Sequence, residues 1–376
     1  MERKPQRQIP ARFGALVPKR AEPVGIFPLK SIAMSRISMT TIPVTQAVGT
    51  VLCHDITRIE PGVQKGPVFR KGHIVREEDI PVLLSVGKEN LYVYTPAPGE
   101  IHENDAATRI GNAVAGRNIV FSDIKEGRIN FLAAEHGLLR VDVPALAKVN
   151  AFPEIVLATL HTMQEVKKGQ AVGGTRIIPL LIEEEKIVAL EQAVTAPVIE
   201  VLPFRSFRVG MVTTGNEVYS GRIKDAFGPV LRQKFESLGS TILGQSFSDD
   251  SIEMTVQGIR DFIAEGADMV VCTGGMSVDP DDRTPAAIRA AGGRVVTYGA
   301  PTFPGAMFLL AYIDNIPVLG LPGCVMYHRA SIFDLVVPRL LAGVPVTRED
   351  IVALGHGGFC AGCGECRYPN CAFGKN

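Results

Sequence analysis

Val270-Val271-Cys272-Thr273-Gly274-Gly275-Met276-Ser277-Val278-Asp279-Pro280-Asp281-Asp282-Arg283-Thr284-Pro285 is the stretch on which the reading of this chain turns. Met269 to Cys272 is a short apolar run with β-branched residues, the pattern of a buried strand. Gly274-Gly275 then allows a tight turn and a close backbone approach. Three carboxylates follow, Asp279, Asp281 and Asp282, before Thr284-Pro285 opens an Ala-rich helix. Strand, glycine turn, acidic loop and helix start together suit a phosphate with a divalent cation. Amides and the helix dipole favour the anion, and hard oxygen ligands favour Mg²⁺. The same residues would also serve an ordinary strand-to-helix loop whose aspartates only cap the helix.

Outward from this stretch, the pattern from Phe207 is a regular βα alternation. Val209–Thr213, Ser240–Phe247, Arg294–Tyr298 and Pro317–Gly320 read as strands. Asp225–Leu238 reads as a helix with Leu231, Phe235 and Leu238 on one side, and Ser251 caps a second helix running to Glu265. An apolar helix is expected from Cys324 to Leu341, with His328 packed inside it. The fold class is therefore α/β, a doubly wound, mainly parallel sheet. Its strand-end loops, 214–217, 248–250, 274–282, 299–305 and 322–324, should gather at the carboxyl edge, where open sheets bind ligands. Neither G-x-G-x-x-G nor G-x-x-x-x-G-K-[ST] occurs, which removes the dinucleotide and P-loop readings.

Ahead of this sheet, residues 41–206 form an α+β and β-rich N-terminal region. Helices are expected at Glu77–Ser85, Asp105–Ala115 and Asn130–His136. Strands are expected at Leu91–Tyr94, Ile155–Leu160, Arg176–Ile182, Lys186–Ala189 and Pro197–Val201. His54, His73, His102 and His136 lack ligand spacing and read as structural or surface residues. Residues 1–40 are a basic leader without an apolar core, expected to be disordered. Met34 and Met39 stand as alternative starts.

The chain has 376 residues, zero formal net charge, 46% hydrophobic and 21% charged residues, and no Trp. That balance argues against nonspecific nucleic-acid binding, and the absence of stacking platforms argues against single-strand binding. No apolar run is long enough to span a bilayer. Four of the seven cysteines fall in the last 17 residues, as expected of a metal site in a reducing, cytoplasmic compartment. Cys53 and Cys272 read as buried small hydrophobes.

Six motifs between Phe207 and Gly343 carry a resemblance. They are Thr213-Thr214-Gly215-Asn216-Glu217, Ser248-Asp249-Asp250, Thr273-Gly274-Gly275-Met276-Ser277, Asp282-Arg283-Thr284-Pro285, Phe303-Pro304-Gly305 and Gly320-Leu321-Pro322-Gly323. In that order they are similar to the molybdopterin-binding domain of molybdenum cofactor biosynthesis proteins. With the Pro43-Val44-Thr45-Gln46-Ala47-Val48-Gly49-Thr50-Val51-Leu52 opening, the chain resembles the molybdopterin molybdenumtransferase branch. The resemblance implies insertion of molybdate into adenylylated molybdopterin, with Mg²⁺ and release of AMP. It implies Asp249 or Asp250 with Asp282 as the Mg²⁺-holding, catalytic carboxylates. Thr214, Gly215, Glu217, Gly274, Gly275, Ser277, Pro322 and Gly323 are implied around the pterin and its phosphate. Molybdopterin, molybdate, other cofactor-assembly proteins or a molybdoenzyme are the implied partners, and a homo-oligomer is expected.

The departures are equally specific. The family loop continues Ser-x-Gly-Asp-Tyr-Asp, whereas this chain reads Ser277-Val278-Asp279-Pro280-Asp281-Asp282, an ending closer to the adenylyltransferase and competence-damage-inducible branches. Cys324 replaces the Asn that usually follows Leu-Pro-Gly, and the Asp-Gly-Tyr-Ala motif and a C-terminal barrel are missing. A molybdopterin-binding carrier or sensor, or a nucleotide hydrolase on the same fold, therefore stand as alternatives. Residues 346–376 form a cysteine-rich tail in which Cys360, Cys363, Cys366 and Cys371 follow C-x₂-C-x₂-C-x₄-C. Four thiolates so spaced can ligate Zn²⁺ or an iron–sulfur cluster.

Overall fold

A computed structural model describes residues 39–60, 64–94 and 98–375. The chain divides into Met1–Ile37, which carries most of the basic leader and lies outside the described residues, and Ser38–Asn376.

Apolar runs in the second half become strands, fully buried in the middle of the sheet and half-buried or exposed at its edges. β1 (Arg208–Thr214), β2 (Thr241–Ser248), β3 (Met269–Thr273), β4 (Arg294–Tyr298), β5 (Leu309–Ile313) and β6 (Ile316–Leu321) form one sheet in the order β2-β1-β3-β6-β5-β4. β1 is parallel to β2 and β3, and β3 is parallel to β6. Only β5 runs against its neighbours. This strand was not expected. Its signal is the two-residue turn Asp314-Asn315 between two apolar runs, with Asp314 at φ 53°, a hairpin conformation that Asp and Asn tolerate.

Helices α1 (Phe227–Ser237), α2 (Ile252–Ala264), α3 (Thr284–Ala290) and α4 (Ile332–Leu341) cover the sheet. Leu231, Phe235 and Leu238 bury the expected face of α1 in the core with Phe308, Phe333 and Leu319. Against the other face pack Ile259, Phe262 and Ile288. Ser251 caps α2 by accepting the Met254 amide at 3.3 Å.

The single helix expected over Cys324–Leu341 is broken. One turn spans Cys324–Tyr327, and α4 begins only after Ser331, whose side chain and that of Asp334 form a reciprocal cap. A good N-cap starts a helix where apolar periodicity alone would have run through. His328 falls in the break and is exposed, not packed.

The N-terminal region has two cores. Val44, Ala47, Leu52, Ile56, Val75, Leu83 and Leu91 make the first. The second gathers around the helix Glu103–Val114 and includes Ile110, Phe131, Leu139, Ile155, Val172, Ile187 and Ile199. Three expectations fail here, the first being the strand at Arg176–Ile182, which is broken between Ala171–Ile177 and Leu181–Glu183. The helix expected at Asn130–His136 is a strand, Ile129–Ala133, whose residues alternate buried and half-buried. The strand expected at Lys186–Ala189 lies inside a helix, Glu184–Ala193, with Ile187 and Leu190 on its buried side. Short apolar runs do not distinguish period 2 from period 3.6.

Of the four histidines singled out in the sequence, three pair locally. His73 meets Asp79 at 2.6 Å, His102 reaches the Cys53 carbonyl at 3.0 Å, and His136 meets Glu165 at 2.9 Å; His54 is half-buried. Cys272 is fully buried, as expected, and burial pushes its thiol up to about 12. Cys53 is only half-buried and donates to the Tyr92 carbonyl at 3.3 Å. No helix among the described residues is long and apolar enough to cross a membrane.

Candidate functional site

Parallel strands bring the ends of β1, β2 and β3 to one edge, and hydrogen bonds knit their loops together there. The Gly215 amide donates to the Ser248 carbonyl at 3.1 Å, and the Asn216 amide to Asp250 Oδ2 at 3.1 Å. Thr284 Oγ1 donates to the Gly274 carbonyl at 2.8 Å and lies 3.1 Å from Thr214 Oγ1. Each hydroxyl has one proton: that of Thr284 goes to the Gly274 carbonyl, and Thr214 Oγ1 donates to the Thr273 carbonyl at 3.3 Å. Two threonines thus tie the start of α3 to the end of β1 across the glycine turn.

The glycines are required by this closure. Gly274 has φ 80° and Gly275 φ 54°. A Cβ on Gly274 would sit 2.1 Å from the Thr214 carbonyl, and one on Gly275 2.8 Å from Thr284 Oγ1. The neighbours they admit are therefore the chain's own threonines. Met276, 4% exposed, lays its thioether over Gly320 of β6, where a Cβ would approach within 2.6 Å. That contact pins the loop to the sheet and turns Ser277 and Val278 outward, both exposed.

The implied site residues separate into two groups. Thr214, Gly215 and Pro322 are buried, whereas Glu217, Ser277 and Gly323 are exposed, with Gly274 and Gly275 half-buried between them. The Glu217 carboxylate folds back so that a Cβ on Gly215 would meet Oε1 at 2.9 Å. Cys324 is half-buried beside Gly323, and burial raises its thiol.

Each implied catalytic aspartate spends one oxygen locally. Asp249 Oδ1 accepts the Ser251 amide at 2.8 Å, Asp250 holds Asn216, and Asp282 Oδ2 accepts the Asp279 amide at 2.8 Å. Hydrogen bonds from Ser251, side chain and amide, hold the Asp249 carboxyl below the usual range. Among the described residues no three His, Cys, Asp or Glu side chains form a group able to hold a metal ion. The aspartates therefore make no closed cage. Carboxylate oxygens are the hard ligand type that Mg²⁺ takes, so the donor set suits that ion in kind.

Sequence reasoning missed Gln245. Its amide donates to Thr213 Oγ1 at 2.9 Å and to Asp225 Oδ2 at 2.8 Å. Asp225 in turn accepts the Phe227 and Gly228 amides at the start of α1. Gln245, Asp225, Lys224, Arg232 and Phe247 line a groove of about 620 Å³ beside the edge. A mid-strand Gln in an apolar run was the available signal.

Residues 210–342 match the family model described as a probable molybdopterin binding domain. This segment belongs to the molybdopterin-binding family of molybdenum cofactor biosynthesis. Residues 41–95 match a second model, described only as a domain of unknown function. A molybdopterin molybdenumtransferase of Staphylococcus aureus (strain COL) is 27% identical over 131 residues, 33% of this chain and 31% of the relative. A CinA-like protein of Syntrophus aciditrophicus is 37% identical over 87 residues, 23% of this chain and 20% of the relative. The chain thus spans less than a third of either relative's length. Among solved structures, the molybdopterin biosynthesis moea protein of Pyrococcus horikosii is similar with a TM-score of 0.31. It is 18% identical, over 81% of this chain and 75% of that one. All six motifs fall inside the segment 210–342 that belongs to the molybdopterin-binding family.

Proposed function

We propose that the edge built by Thr214–Glu217, Ser248–Asp250 and Gly274–Thr284 binds the phosphate end of molybdopterin. On this reading the chain inserts molybdate into adenylylated molybdopterin and releases AMP. The observation that carries it is the glycine turn locked by Thr214 and Thr284, which with the Gly215 and Asn216 amides joins three strand-end loops on the edge where parallel sheets take ligands. The family match of residues 210–342 and the name of the Staphylococcus aureus relative support it.

Ser277 supplies a hydroxyl and the turn supplies amides to a phosphate. Glu217 and Gly323 border the space for the pterin. Asp249, Asp250 and Asp282 would hold Mg²⁺, which when bound neutralises charge on the phosphates.

The test follows AMP from adenylylated molybdopterin with molybdate and Mg²⁺. Asp282→Asn is the informative variant, because Asn keeps an acceptor for the Asp279 amide while losing the charge. AMP release should fall by about 100-fold or more. Release at the normal rate in Asp282→Asn would refute the metal role. The Asp282-Arg283-Thr284-Pro285 ending favours nucleotide hydrolysis as the second reading, and AMP released equally well without molybdate would select it.

A further inference from the structure

We propose that Cys360, Cys363, Cys366 and Cys371 ligate one metal centre, a zinc ion or an iron–sulfur cluster, that fastens the tail to the loop Gly299–Gly305. The segment from Gly355 to Lys375 contains no helix or regular strand, and only Gly358 and Phe373 in it are buried. Its apolar contacts are to the sheet domain: Phe373 enters that core, and Tyr368 packs against it and donates to the Asp334 carbonyl at 2.8 Å. Segments without a core of their own are held by disulfides or metals, and all four thiols are free.

The backbone already arranges the outer ligands. The Gly374 amide donates to the Gly357 carbonyl at 2.9 Å, closing a loop. Cys360 lies three residues inside one end of that loop and Cys371 three residues inside the other. The closure is close-fitting: a Cβ on Gly357 would stand 2.3 Å from the Lys375 carbonyl. Cys360, Cys366 and Cys371 are half-buried and pack against the core of the sheet domain. Cys363 sits on the exposed run Ala361–Glu365.

As placed, the four sulfurs do not converge, so binding requires that run to fold inward. A Cβ added at Gly362 or Gly364 would face open space, with nothing within 4 Å, which leaves the run free to do so. The centre would also brace the ligand edge. The Phe303 amide donates to the Gly358 carbonyl and the Cys360 amide to the Phe303 carbonyl, both at 2.8 Å.

The full-length chain, isolated anaerobically and reconstituted separately with Zn²⁺ or with ferrous iron and sulfide, tests this. The expected result is about one zinc, or about four irons with visible absorption lost in air, per chain. The double variant Cys363→Ala, Cys366→Ala should keep its circular dichroism and lose metal by about tenfold or more. Should that variant fail to fold, chelation of the unmodified chain replaces it, and amide exchange at Cys360 should then accelerate. Uptake of neither metal, full retention by the double variant, disulfides among the four cysteines after anaerobic isolation, or unchanged exchange after chelation would each overturn the proposal.

Discussion

Gly274 shows what the glycine turn is for. Its φ is positive, and a Cβ added there would meet the Thr214 carbonyl at 2.1 Å, so no side chain fits. Gly274→Ala should therefore destabilise the protein by about 2 kcal/mol or more, read as a lower urea midpoint. Gly275→Val would also fail as a clean probe of phosphate contact, since it collides with Thr284 before any ligand arrives. Ser277 is the better probe because its side chain is exposed. Ser277→Ala should leave the urea midpoint within about 0.5 kcal/mol of the parent and weaken molybdopterin binding by about tenfold. Calorimetry showing unchanged affinity would remove Ser277 from the site. The glycine pair was legible in sequence; its partner threonines became visible only when Thr214 and Thr284, seventy positions apart, met.

At the scale of elements, two helices of the N-terminal region are clamped by one arginine. Arg109, on Glu103–Val114, binds Glu191 through Nε at 2.8 Å and Nη2 at 2.7 Å, and Glu184 through Nη1 at 2.7 Å. Both acids lie on Glu184–Ala193. The Arg109 hydrogen bond holds the Glu191 carboxyl below its ordinary 4.5, against the opposing effect of burial. Glu191 therefore binds its proton more weakly folded than unfolded. The clamp contributes fully above pH 4.5 and is lost as pH falls through the depressed value. With both partners about one-third exposed, the contribution is below about 1 kcal/mol. Arg109→Met should flatten the fall in stability over that acid window, and an unchanged slope in urea titrations would reject the clamp. Sequence periodicity missed the second helix altogether, because Ile187-Val188-Ala189-Leu190 is too short to declare its period.

Among the described residues, apolar side chains collect in separate cores, one pair on the two faces of the main sheet and two in the N-terminal region. The seam between region and sheet domain runs through Phe204 and Arg205. Phe204 donates to the His136 carbonyl at 3.3 Å and Arg205 to the Leu341 carbonyl at 2.9 Å. Binding stabilises only the cooperative units that contact ligand. Saturating molybdopterin should therefore slow amide exchange throughout β1, β3 and α3. Exchange around Ile110 and Phe131 should stay nearly as it was. Uniform slowing across both would mean that the cores unfold as one.

The sheet and its ligand edge were readable from one dimension because their signals are local. Buried parallel strands are continuous apolar runs, glycines mark the turns, and parallel direction places the loops after the parallel strands on one side. The hairpin strand β5, the break at His328 and the helix at Glu184–Ala193 depended on competing caps and on which face found a partner. Only the folded chain could decide the roles of the implied site residues. Thr214 and Pro322 became buried, Ser277 and Glu217 stayed in the open, and Gln245 tied β2 to Thr213 of β1. Spacing announces which chemistry is present; burial and hydrogen-bond partners, both set by distant segments, determine which atoms remain free to use it.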